Sequence, residues 1–159
     1  MNTDKHGSAT LASTDDCARI LGRLRTLRPD DPRRWGKMTP NQMVCHLADS
    51  FRAMLGEKTV SLNTNVLKRT VLKWIALNAP FPWPPGYPTR PEMDQQIGGT
   101  RPVEFVRDVG DLERIVETFA TKPSDFGWHP HPGFGLMTTA EYMRWGWLHM
   151  DHHLRQFGR

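Results

Sequence analysis

Apolar residues recur at helical spacing in five stretches of the chain, and no stretch alternates with the period of a strand. The first predicted helix covers about residues 15–28. Thr14 is placed to cap it, Asp15 and Asp16 sit in its first turn, Ile20, Leu21, Leu24 and Leu27 form its apolar stripe, and Pro29 stops it. The second, about 40–56, is the most clearly marked. Thr39 and Gln42 make a capping box, Pro40 occupies the first helical position where a missing N–H costs nothing, and Gly56 is a natural end. Between them lie Met43, Val44, Leu47, Phe51, Met54 and Leu55 on one face. A shorter helix is expected over 64–77, from Val66, Leu67, Val71, Leu72, Ile75 and Ala76.

Pro80, Pro82, Pro84, Pro85, Pro88 and Pro91 then forbid regular structure. Long loops of this kind are uncommon in compact domains, and Phe81, Trp83 and Tyr87 argue that this one packs down onto the protein. A further helix opens at Pro102 and ends near Lys122-Pro123, with Gly110 as a weak point in its middle. The last begins after a second capping box, Thr138 with Glu141, and runs almost to Phe157, with Gly158 closing it. The expected fold class is all-α. Residues 1–12 read as a disordered N-terminal tail, and 13–159 as a single domain.

Composition narrows the functional classes. With 159 residues, 38% hydrophobic and 24% charged, the chain is neither disordered nor a membrane protein in type. Its longest apolar run, Val71 to Pro80, is interrupted by Lys73 and is far short of the ~20 residues that span a bilayer. The start of the chain has no signal-like apolar stretch, so a cytoplasmic location and no membrane partner are expected. Cys17 and Cys45 lie in separate helices at a spacing that suggests neither a disulfide nor redox chemistry. The net charge of +4 invites a nucleic-acid reading, but Arg19, Arg23, Arg25 and Arg28 are interleaved with acids and lack aromatic partners, which argues against one.

The chemistry lies in the last helix. On a helical wheel Arg144, Asp151 and Arg155 share one side, expected to face solvent, while Tyr142, Gly146, His149 and His153 share the inward side. His149 and His153 are separated by about 40° around the axis and one turn along it. Two imidazoles at i and i+4 can hold one metal ion, and two inward rings without partners would be costly to bury. His152 points about 100° away, as a packing or supporting residue. Gln156 is placed to orient a ligand or a histidine. His131, in the loop before the helix, is near the mouth of such a site but too far along the axis to share its ion. On the wheel alone His46 stands on the border of the second helix, open to either a surface or an interior reading.

These residues carry a resemblance. Trp35-Gly36-Lys37-Met38-Thr39-Pro40, followed by Gln42-Met43 and His46-Leu47-Ala48-Asp49-Ser50, is similar to the second helix of DinB/YfiT-like proteins. The ending His149-Met150-Asp151-His152-His153-Leu154-Arg155-Gln156-Phe157-Gly158 resembles one branch of that superfamily, a bacterial domain of unassigned function. His131-Pro132, Phe134-Gly135, Met137-Thr138, Pro88-Thr89 and Pro91-Glu92 resemble the same branch. The similarity spans roughly residues 14–158. It implies a four-helix bundle with a long Pro-rich crossover between the second and third main helices, often paired into homodimers. It also implies a divalent-metal site of His46, His149 and His153, with Zn, Ni or Fe as candidate ions. Relatives in the superfamily include mycothiol-dependent maleylpyruvate isomerase and bacillithiol transferase. The expectation is therefore a metal-dependent enzyme, either a thiol-dependent transferase acting with a small-molecule thiol or a metal-assisted hydrolase. The alternative is a non-catalytic metal- or ligand-binding stress-response protein. No carboxylate stands out as a general base.

Overall fold

The computed structural model describes residues 8–159 and is helical, with no strand among the described residues. In chain order the helices are α1 (Thr14–Leu24), α2 (Pro40–Leu55), α3 (Lys73–Asn78), α4 (Phe105–Ala120) and α5 (Thr139–Gln156). A π-helical turn, Lys68–Leu72, leads into α3, and a 3₁₀ turn, Pro91–Met93, punctuates the long connection to α4.

Local chemistry accounts for the ends. Both capping boxes are present, Thr39 with Gln42 and Thr138 with Glu141, and Gly56 ends α2 in the left-handed region at φ 83°. The cap of α1 is Ser13 rather than Thr14: its hydroxyl accepts from the Asp16 amide, and the helix closes at Leu24, short of residue 28. Leu27 is nonetheless buried, through a looser turn. Helix α4 begins at Phe105 and not at Pro102, and Glu104 caps it by accepting from the Val106 and Arg107 amides. Gly110 leaves α4 unbroken.

The core gathers one stripe from each of α1, α2 and α4 around α5. Ile20, Leu21 and Leu24 meet Met43, Leu47, Phe51 and Met54, together with Leu112, Val116 and Phe119. Phe51 packs edge-on against Phe119 at 4.8 Å and against Trp145 of α5 at 5.5 Å. Helix α5 is enclosed on nearly every side, which corrects the wheel. Asp151 is only 2% exposed, and its carboxylate accepts from Arg23 of α1 at 2.7 Å and Arg155 at 2.9 Å. Arg144 is half-buried and donates to the Leu77 and Ala9 carbonyls. The supposed solvent side of α5 is the seat of α1 and of the N-terminal segment, where Asp151 is met by two arginines and Arg144 by two backbone carbonyls.

That segment is a second correction. Residues 1–7 of the expected tail lie outside the described residues, but Ala9 and Leu11 are buried in the core. The Leu11 amide donates to the Met143 carbonyl at 3.1 Å. The close approach depends on Gly146, where a Cβ would come within 2.6 Å of Leu11 and 3.0 Å of Phe51.

The region between α2 and α4 also departs from expectation. Val66, Leu67, Val71, Leu72 and Ile75 are exposed, and only Leu77 of this helix reaches the core. In the proline-rich loop Trp83 packs down, its indole N–H donating to the Ala76 carbonyl at 2.7 Å, while Phe81 and Tyr87 face outward.

Candidate metal centre

Helix α2 presents His46 to α5, which presents His149 and His153 one turn apart. One nitrogen from each ring lies within 4.8 Å of the others. The Nε2 atoms of His46 and His149 are 3.3 Å apart, and those of His153 and His149 3.2 Å apart. His46 and His153 are buried, and His149 is half-buried, so the cluster opens on its His149 side.

The tautomers follow from the partners. His46 Nδ1 lies 2.9 Å from the Met93 carbonyl, which can only accept, so Nδ1 carries the proton. Gln156 Nε2 donates to the Trp35 carbonyl at 2.9 Å, turning the amide oxygen toward His153 Nδ1 at 3.1 Å. His153 therefore also carries its proton on Nδ1. The Nε2 atoms of both rings are left as bare lone pairs aimed into the cluster.

His149 cannot satisfy them. Its Nδ1 has no hydrogen-bond partner among the described residues. With its proton on Nε2, His149 reaches one of the two facing acceptors and leaves its own Nδ1 idle. With the proton on Nδ1, three lone pairs face one another. Protonation is no remedy, because burial holds all three rings below the ordinary histidine range. His149 and His153 lie well below it, each pushed further by the neighbouring imidazoles. Three neutral imidazoles whose lone pairs converge, two of them held in tautomer by a carbonyl and an amide, fit a divalent cation.

Aromatic rings wall the cluster. Trp145 is 5.1 Å from His149 between ring centroids, and Trp83 from the proline-rich loop is 6.2 Å away. His152 falls outside the triad: its Nδ1 faces the Trp83 carbonyl at 3.3 Å, and its ring stands 5.8 Å from Trp35. His131 is also apart. Its Nδ1 accepts from the Gly133 and Phe134 amides, its ring packs against Trp145, and burial pushes its pKa down to about 3. Neither cysteine joins the site, and burial, followed by the charges of Asp108 and Asp49, pushes the Cys45 thiol up to about 12.

Three supporting groups escaped the reading of the sequence: the Met93 carbonyl, the Trp35 carbonyl and Asp49. Backbone acceptors have no signature in side-chain patterns. Asp49 had one, since it stands three residues after His46 on the same helix. It is fully buried and holds the loop beyond Met93, accepting from the Thr100 amide at 2.7 Å, the Thr100 hydroxyl at 2.6 Å and the Gln95 amide at 3.2 Å. Lys58 stands 3.6 Å from the same carboxylate.

Fold and site together define a helical protein with a histidine triad, two rings buried and one half-buried. The chain belongs to the family described as "Protein of unknown function (DUF1569)", whose family model matches residues 11–159. No curated protein matches the chain, and no solved structure does.

Proposed function

We propose that the protein is a divalent-metal-dependent enzyme with a DinB/YfiT-like four-helix bundle, α1, α2, α4 and α5, and that His46, His149 and His153 hold the metal. The observation that carries this reading is the set of three converging Nε2 atoms, two of which have their tautomers fixed from behind. A bound divalent ion supplies Lewis acidity and lowers the pKa of a water or thiol placed beside it.

The chain's own residues do the rest. The Met93 carbonyl and the Gln156 amide oxygen keep Nδ1 protonated on His46 and His153, which leaves Nε2 free to bind and raises the basicity of both rings. Trp83 and Trp145 exclude water from two sides, and the half-buried edge of His149 is the side open to a small molecule. Asp49 and Asp94 act on His46 only through their charge, and a nucleophile acidified on the metal would supply the reaction's own base. Transfer to or from a low-molecular-weight thiol, or hydrolysis, is chemistry of that kind.

The test is turnover by metal-loaded protein with a panel of small thiols, electrophiles and activated esters. The expected result is activity that disappears in His149→Ala and His46→Ala while both variants keep the helical circular dichroism of the wild type. Metal-loaded protein inert toward the whole panel, or activity that survives in both variants, overturns the enzymatic reading.

A further inference from the structure

Residues 58–91 contain no aspartate or glutamate, although the chain holds 17 acidic residues elsewhere. The same segment carries Lys58, Lys68, Arg69, Lys73 and Arg90, and most of the large apolar side chains that the protein leaves outside its core. Val66 is 69% exposed, Trp74 66%, and Leu62, Leu67, Val71, Phe81 and Tyr87 each more than half. An apolar surface of this size marks a place where something docks.

We propose that this segment, centred on the π-helical turn and α3, seats the protein on the surface of an anionic lipid bilayer. Three observations favour lipid over protein. Residues 69–72 and 74–75 are all exposed, so the apolar side chains project around much of the helix and not along the single stripe that a partner helix would cover. A fluid interface accepts such a shape. The segment's own charges are all positive, and although Asp49 and Glu141 answer Lys58 and Lys73, the Lys68 ammonium donates only to Asn63, and among the described residues no carboxylate pairs with Lys68 or Arg69. A second copy of this chain would set cation against cation, whereas anionic headgroups neutralise both. Finally, Trp74, Phe81 and Tyr87 beside lysine and arginine are the side chains that rest at the boundary between headgroups and acyl chains. No helix of the described residues is long and apolar enough to cross a membrane, so the contact lies on the surface.

The experiment is co-sedimentation of the full chain with vesicles of phosphatidylcholine alone and of phosphatidylcholine mixed with phosphatidylserine. A chelator is present throughout, so that metal plays no part. The wild type is expected to sediment with the anionic vesicles and not the neutral ones, and to be released by salt. Trp74→Glu should weaken binding about tenfold or more. Lys68→Gln combined with Arg69→Gln should weaken it as well, with the helical circular dichroism of both variants unchanged. Four results overturn the proposal: no sedimentation with anionic vesicles, equal sedimentation with neutral ones, binding indifferent to Trp74→Glu, or a Trp74-dependent dimer in sedimentation velocity without vesicle binding.

Discussion

Asp49 and His46 stand within one turn of the same helix, both shielded from water, and they are satisfied in opposite ways. The Asp49 carboxylate is surrounded by donors: an amide, a hydroxyl, a side-chain amide and a lysine at its edge. Nothing further is needed there, and its work is to hold the loop that carries Met93. The imidazole of His46 has one satisfied nitrogen and a bare Nε2 that competes with that of His153 for the single proton His149 can offer. The first pattern is a scaffold joint; the second is incomplete without a cation. Burial is common to both, so the count of donors against acceptors separates structure from function.

Chelation is the largest lever on this contrast. When free metal exceeds Kd roughly a thousandfold, its binding adds about 4 kcal/mol to stability. For a chain of this size that corresponds to a melting temperature about 10 °C higher. A chelator should remove that increment from the wild type and leave His149→Ala unmoved in a thermal scan. Asp49→Ala comes next. It strands the donors around the carboxylate and should cost about 3 kcal/mol in urea unfolding, equally with and without chelator. A cost confined to the metal-loaded protein would place Asp49 in the site and erase the contrast.

Gln156→Leu should act more gently, removing the acceptor behind His153 while the ring keeps its place. Metal affinity is expected to fall about 10- to 100-fold in a competition titration against a coloured chelator. At neutral pH the smallest effect is that of His131, which shows itself only in acid. Native His131 takes up its proton only near pH 3, whereas in the unfolded chain it does so around pH 6.5. Stability from this group is therefore present above about pH 6.5 and is lost as pH falls from there toward 3. His131→Asn keeps an acceptor for the Gly133 and Phe134 amides but does not titrate. Its unfolding free energy, measured in chelator, should fall less steeply with acid than that of the wild type.

How much of this could be read from the residues alone depended on how local the determinant was. The capping boxes at Thr39 and Thr138 and the turn at Gly56 need only neighbours in sequence, and the helices start or stop where those residues say. The inward pair His149 and His153 follows from the period of one helix. The solvent side of α5 did not, because Asp151 looks like a surface residue until Arg23, from the other end of the chain, is set against it. Leu11 could not be distinguished from a tail residue without the gap over Gly146 that receives it. The reverse error befell Val66, Val71 and Ile75, where helical periodicity suggested a core that the fold does not supply. His46 stood at the border of its wheel, and the Met93 carbonyl that orients it belongs to a loop whose path is set by Asp49.

The central claim is that three imidazoles form one metal site, and metal analysis of untagged protein tests it most directly. After dialysis against buffered Zn, Ni or Fe and removal of the unbound ion, wild type and Asp49→Asn should each retain about one ion per chain, and His149→Ala almost none. Wild-type protein that retains no metal under these conditions, or His149→Ala that retains as much as the wild type, would contradict it.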